Sequence, residues 1–398
     1  MSMKHQAEIL ALTQKYFNYM VQTRRYLHQH PEVSYKEFET TKFIKNELEK
    51  LGIPCESPLE TGCVGIFKGE ICSDRVIALR ADIDALSMKE EGVAKETFLS
   101  QNDGVAHCCG HDSHTANLLG VAHIINELKQ KIAGTVLLVF QPGEEKLPGG
   151  GKLLCQTGFL QNQGVQAIYG LHSYPNKKPG TIATKSGPLM GSPDEIEVEI
   201  FGKGGHAARP HDAVDPIVLM AQFITNLQTI VSRSVDPTDS AVITIGKVEG
   251  GTAHNIIPES VKLWGTVRTL SKETADMIEH KLEALLKGIT EAAGGSYIFK
   301  YNKGYPVVHN TKAETENVLN TMRALFGEDS VEELEKPIMA GEDFAFYQQY
   351  FPGAFFFAGS GSDEAESNYV WHHPKYNVDE SYFKTTAALM ASLVLSED

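Results

Sequence analysis

Thr135-Val136-Leu137-Leu138-Val139-Phe140 runs directly into Gln141-Pro142-Gly143-Glu144-Glu145. An unbroken apolar or β-branched run closed by a Pro-Gly pair reads as a buried strand. Ligand sites of open α/β sheets lie at the carboxyl ends of their strands, so this strand delivers two adjacent glutamates to the functional edge. Around it, Cys63 to Phe67, Val76 to Leu79 and Ala167 to Leu171 are further short apolar runs bounded by Gly or polar clusters, and the helical spacing of Asn117 to Lys131 separates two of them. Earlier, apolar residues recur at helical spacing from Glu8 to Gln29 and from Tyr35 to Leu51, where Gly52-Ile53-Pro54 ends the run. The alternation predicts an α/β fold with helices on the faces of a sheet.

After Gly187 the period changes. Glu195 to Phe201 alternates Glu with Ile196, Val198 and Ile200. A helical run follows from Asp215 to Val231, then strands from Ala241 to Val248 and Val261 to Thr269, an amphipathic helix from Lys272 to Ala293, and a strand from Tyr297 to Tyr301. The order βαββαβ matches a ferredoxin-like unit. Past Gly304 mixed character resumes, with a strand from Ala354 to Ala358 and a closing helix from Ser381 to Leu395. The expected organisation is a larger α/β domain, residues 1–187 and 302–398, carrying a small inserted domain, residues 188–301.

A chain of 398 residues with 42% hydrophobic content suits two domains with sizeable cores. Its formal charge of -15 opposes a phosphate backbone, so no nucleic-acid partner is expected. No apolar run is long enough to cross a bilayer, and the start of the chain lacks the apolar core of a secretory leader. The six cysteines are too sparse and irregular for a disulfide framework. These features predict a cytoplasmic protein with reduced thiols and no membrane association.

The chemistry concentrates in His107-Cys108-Cys109-Gly110-His111-Asp112-Ser113-His114, because thiolate and imidazole are ligands for zinc and similar ions. Any one of these residues alone reads equally well as a surface histidine or a small buried hydrophobe. Of the adjacent Glu144 and Glu145, one can coordinate a metal while the other activates water. His172 ends the strand from Ala167, and His372-His373 precedes Pro374; either is individually as compatible with a structural role. Asp82 and Asp84 follow the strand from Val76, and Asp84 suits orienting a ligand imidazole. In the insert, Gly204-Gly205-His206 projects an imidazole fit to stabilise an oxyanion, with an incidental Gly-rich turn as the alternative. Asn255 and Arg268 are the kinds of group that grip a substrate carboxylate, with a solvent-facing strand charge as the alternative for Arg268.

These segments resemble the aminoacylase and carboxypeptidase superfamily of cocatalytic metallopeptidases. The amidohydrolase branch fits best, the group of hippurate hydrolases, N-acyl-L-amino-acid amidohydrolases, N-acetyldiaminopimelate deacetylases and plant indoleacetyl-amino-acid hydrolases. The hallmarks recur in order: Arg25 to Glu32, Leu79 to Asp82, His107 to His114, Gln141 to Glu145, Gly170 to His172, Gly204 to His206, His254 to Pro258, Gly341 to Phe344 and His372 to Pro374. The resemblance implies that Cys109, His111, Glu145, His172 and His372 hold two divalent metal ions per subunit. Zinc or manganese is expected, and cobalt or nickel also suits the donors. It implies that Glu144 is the general base, that Asn255 and Arg268 contact the substrate carboxylate, and that His206 reaches the site of a partner subunit in a homodimer formed through the insert.

The expected reaction is amide hydrolysis of an N-acyl amino acid. A dipeptidase or carboxypeptidase of the same superfamily is the alternative, and a non-catalytic metal-binding dimer a second one. Cys108 stands where the family has a small residue, Gly143 where Ala is common, Ser87 where Pro is usual, and Lys146-Leu147-Pro148 interrupts a glycine run. These departures bear on pocket shape before mechanism.

Overall fold

The computed structural model describes residues 3–395. The ends of the expected larger domain and of the leader reading, residues 1–2 and 396–398, lie outside the described residues. The chain forms two compact units. One comprises Met1–Leu189, His309–Lys336 and Asp343–Asp398, and the other Met190–Val308 and Pro337–Glu342.

An eight-stranded sheet runs through the larger unit. From edge to edge its strands are Cys55–Glu56, Cys63–Lys68, Ala133–Gln141, Ile71–Asp82, Ala167–Tyr174, Gly353–Gly359, Ile182–Thr184 and Val331–Glu333. The four central strands, from Ala133–Gln141 to Gly353–Gly359, are mutually parallel. Three of them are buried along most of their length, Gly353–Gly359 completely, as expected of a parallel sheet covered on both faces. In Ile71–Asp82 only the second half is buried, which is why only Val76 to Leu79 stands out as apolar in the sequence.

Helix His111–Glu127 is buried on nearly every side, between Met3–Gln29 and Phe383–Leu393. It starts six residues before the expected Asn117. Gly110, at φ 95°, turns the chain sharply into the helix, and the polar first turn faces the site instead of following an apolar period. The second helix starts at Phe38, not Tyr35, because Tyr35 takes a left-handed φ of 65°. At the C-terminus a 3-10 turn, Glu380–Tyr382, precedes the helix Phe383–Leu393.

The smaller unit is a four-stranded antiparallel sheet in the order Ala241–Gly250, Ser260–Thr269, Ser192–Phe201, Ser296–Asn302, with helices Pro216–Ser234 and Lys272–Ala293. This is the ferredoxin-like strand order. Ile196, Val198 and Ile200 pack into its core with Phe223, Leu227 and Leu282. Asp215 caps the first helix through the Ile217 N–H, and Ser271 caps the second through the Thr274 N–H. Pro337–Glu342 joins this unit, the Gly191 N–H donating to the Ile338 carbonyl at 2.9 Å. That long-range pairing has no local signal in the sequence. Among the described residues no helix is long and apolar enough to cross a membrane, and all six cysteines are free.

Candidate metal centre

Three parallel strands end at one edge of the large sheet, and each carries a polar group there. Ile71–Asp82 leads to Asp82 and Asp84, Ala133–Gln141 to Glu144 and Glu145, and Ala167–Tyr174 holds His172 near its end. Gly110 brings His111 into the first turn of its helix beside them. A Cβ at Gly110 would stand 2.6 Å from Ser173 Oγ, so the left-handed turn is also tightly enclosed. His372 arrives on a loop with φ 63°, its N–H donating to the Cys108 carbonyl at 2.8 Å.

These positions bring the donor atoms together. One atom each from Cys109, His111 and His172 lie within 4.8 Å of one another, as do those of Cys109, Glu145 and His372, and those of His111, Glu144 and Glu145. Cys109 Sγ is 3.3 Å from His172 Nε2, and Glu145 Oε1 is 3.2 Å from His372 Nε2. Four of these groups, Cys109, His111, Glu144 and His172, are buried, whereas the His372 side chain is 56% exposed and marks the open side.

The surrounding hydrogen bonds select the ligand nitrogens. His111 Nδ1 faces the Asp84 carbonyl at 2.9 Å and Asp84 Oδ1 at 3.2 Å, so it carries the proton and leaves the Nε2 lone pair toward Glu145. His172 Nδ1 donates to the Ser173 carbonyl at 2.9 Å, which leaves Nε2 toward Cys109. The Trp371 indole donates to that same carbonyl at 2.8 Å, and its ring lies against His172. His114 also groups with Asp82 and His111, but both of its nitrogens are engaged, with Asp82 Oδ1 at 2.6 Å and the Ser173 N–H at 3.0 Å.

Electrostatics calls for a cation here. Burial draws the His111 pKa down, but Asp82, Asp84 and Glu145 outweigh it and lift the imidazole to about 10. Burial, with Glu145, Glu144 and Asp82, pushes the Cys109 thiol well above its ordinary range. Burial and His114 hold His172 well below the usual imidazole range, hence neutral, as a ligand must be. His111 Nε2 is buried without a hydrogen-bond partner, and Glu145 Oε1, buried beside it, has only the ion-pair approach of His372 Nε2. Polar atoms so placed among carboxylates and a thiol fit a bound divalent ion.

The other candidates lie in the smaller unit. His206 and Ile256 pair across a two-stranded ribbon, and the Ala207 N–H donates to the Asn255 carbonyl at 3.1 Å, so His206 and Asn255 are neighbours on an exposed end. His206 Nδ1 accepts the Ala208 N–H at 3.1 Å, which leaves Nε2–H as a donor. Arg268 is half-buried on the strand Ser260–Thr269; burial draws its pKa down against Asp194 and Glu195. Sequence reasoning missed residues that hold the site, among them Ser34, Tyr35, Glu37, Trp371 and Tyr376, whose hydroxyl lies 2.6 Å from Ser173 Oγ. They are scattered polar and aromatic groups; the signal for Ser34 to Glu37 was the polar stretch that continues from Glu32, and for Trp371 and Tyr376 their place beside His372-His373.

A parallel α/β sheet with His, Cys and Glu gathered at the carboxyl ends of its strands, together with a ferredoxin-like second unit, defines a metallohydrolase architecture. The chain belongs to peptidase family M20/M25/M40, whose model matches residues 78–396, and within it to the amidohydrolase branch. It is 40% identical over 380 residues to N-acetyl-L-cysteine deacetylase of Bacillus subtilis, covering 95% of this chain and 86% of that protein. It is 39% identical over 320 residues to N-acyl-L-amino acid amidohydrolase of Geobacillus stearothermophilus, covering 80% and 85%. The crystal structure of a dinuclear metal-binding peptidase of this family from Bacillus subtilis superposes with a TM-score of 0.82 at 35% identity, covering 96% of this chain and 98% of that one.

Proposed function

We propose that the protein hydrolyses the amide bond of N-acyl amino acids, with two divalent ions held by Cys109, His111, Glu145, His172 and His372. The observation that supports this reading is the convergence of these donors in overlapping groups, one of which joins His111 and Glu145 to Glu144, with His111 Nε2 buried and unpartnered. Bound there, the ions supply Lewis acidity toward the acyl carbonyl and acidify water. Glu144, buried and within reach of His111 and Glu145, takes a proton from the attacking water and returns it to the departing amine. His206, with Nε2–H as its donor, stabilises the oxyanion from the partner subunit of a homodimer formed through the smaller unit. Asn255 and Arg268 hold the substrate carboxylate. The six free cysteines suit a reducing, cytoplasmic setting.

The peptidase description of the Bacillus subtilis structure favours a second reading, a dipeptidase or carboxypeptidase using the same centre. Turnover of N-acetyl and N-benzoyl amino acids compared with unblocked dipeptides separates the two. Elemental analysis of protein purified without added metal names the ion. Glu144→Gln is expected to keep its metal content and lose turnover by at least about a hundred-fold; retained activity sinks the assignment of the base, and metal-free wild-type protein with full activity sinks the reading.

A further inference from the structure

The turn that carries Glu144 and Glu145 is fastened by a segment that precedes the region matched by the family model. Glu37 is fully buried, and both of its carboxylate oxygens are engaged. Oε1 accepts the Gly143 N–H at 2.8 Å and Oε2 accepts the Thr61 hydroxyl at 2.8 Å. Gly143 is itself buried, with φ 64°, and a Cβ there would meet the Tyr35 ring at 2.3 Å. Without Glu37 its amide would be a buried donor lacking a partner, in the peptide that sets the direction of Glu144.

The same segment holds the rest of the turn. The Tyr35 hydroxyl donates to the Lys146 carbonyl at 2.7 Å and accepts the Gly149 N–H at 3.1 Å. Ser34 donates to Asp84 Oδ2 at 2.6 Å, and that oxygen also accepts the Glu145 N–H at 2.9 Å. Tyr35 achieves its reach through the left-handed φ of 65° that keeps it out of the helix beginning at Phe38. The direct contacts with the turn fall on Gly143, Lys146 and Gly149, on both sides of the proposed base, and Ser34 reaches Glu145 only through Asp84.

We infer that Ser34, Tyr35 and Glu37 form a strap that positions the Glu144–Glu145 turn, with Glu37 as the principal positioning residue through the Gly143 amide. The inference rests on the proposed metal centre but not on the identity of the substrate. Nothing in the strap touches the reacting atoms; it acts through the backbone that aims the base and the ligand.

The test compares wild-type protein with Glu37→Ala, Glu37→Asp and Glu37→Gln, each stripped of metal and titrated with cobalt(II). The readouts are the visible ligand-field spectrum, the cobalt Kd, thermal melting, and kcat and KM on N-acetyl amino acids. Shortening or deleting the side chain withdraws the acceptor from Gly143, so Ala and Asp are expected to weaken cobalt binding about 10- to 100-fold and alter the spectrum. Their kcat is expected to fall at least about ten-fold with KM little changed, since the turn aims the base and not the substrate. Gln retains an oxygen for the Gly143 N–H and an amide that Thr61 can accept from, and is expected to restore both the spectrum and kcat.

Wild-type spectra and kcat in a folded Ala or Asp variant overturn the inference, as does a Gln variant that fails as badly as Ala. Where Ala does not fold, Asp decides. If wild-type protein binds cobalt but turns over no N-acyl amino acid, the proposed reaction falls while the strap is still judged on the cobalt spectrum and Kd.

Discussion

Asp84 meets donors from three separate parts of the chain. Its Oδ1 lies 3.2 Å from His111 Nδ1, while Oδ2 accepts from Ser34 at 2.6 Å and from the Glu145 N–H at 2.9 Å. Hydrogen bonds to the ionised form hold its carboxyl below the usual range against burial, which acts the other way. An amide in its place cannot accept on both sides. Either orientation of Asp84→Asn sets an N–H against one of these donors. Metal affinity is therefore expected to fall about 10- to 100-fold, measured by competition with a chromogenic chelator, with a smaller effect on melting temperature. Unchanged affinity would show that Asp84 does not orient His111 and Glu145. Asp84 was legible because two carboxylates after an apolar strand are unusual, as were Cys109 and His111 from their dense motif. His172 and His372 were not legible on their own. What makes them candidates is spatial: the Trp371 indole on the Ser173 carbonyl and the His372 N–H on the Cys108 carbonyl join segments far apart in sequence.

At the scale of elements, a buried charge network ties the first helix to the segment that follows Asp84. His28 on Met3–Gln29 places Nε2 2.9 Å from Glu90 Oε2 and Nδ1 2.8 Å from Asp112 Oδ2, and the Lys95 ammonium lies 2.7 Å from Glu90 Oε2. Burial pushes the Glu90 carboxyl up, but His28, Lys95 and the Ser100 N–H outweigh it and hold the pKa at about 2. The folded value lies below the ordinary one, so the stability it contributes is present above about pH 4.5 and is lost as pH falls toward 2. Denaturant unfolding of wild-type protein should weaken across this window more steeply than that of Glu90→Gln, and the two curves should converge at its acid end; parallel curves would remove Glu90 from the account of acid stability. Elements with a clean period or an apolar run were readable, such as Lys272–Ala293 with its Ser271 cap and Gly294 terminus, or the strand at Ala133–Gln141. The start of His111–Glu127 was not, because a helix buried all round has no polar face to set a period, and its first turn consists of site residues. Tyr35 resembled helix for a related reason: its spacing fits, but its left-handed φ and its contacts with the Lys146–Gly149 turn place it outside.

At the scale of the whole molecule the question is whether one chain is a complete enzyme. The proposed metal ligands and Glu144 all belong to the larger unit, whereas His206, Asn255 and Arg268 belong to the smaller one. His206 is exposed, and its Nδ1 accepts the Ala208 N–H, which leaves Nε2–H free to donate to a group supplied from elsewhere. If that group lies in the site of a second copy, two inactive variants should repair each other. His206→Ala keeps an intact metal centre but offers its partner no imidazole; Glu144→Gln keeps the imidazole but has no base. In a mixed dimer, the site with Glu144 receives His206 from the Glu144→Gln subunit and is whole, while the other site is not. Equal amounts, unfolded together and refolded to allow random pairing, should recover about a quarter of wild-type activity, since half of the dimers are mixed and half of their sites are complete. Each variant refolded alone should stay inactive. If His206 instead serves the site of its own chain, no pairing yields a complete site, and the mixture remains as inactive as its parts.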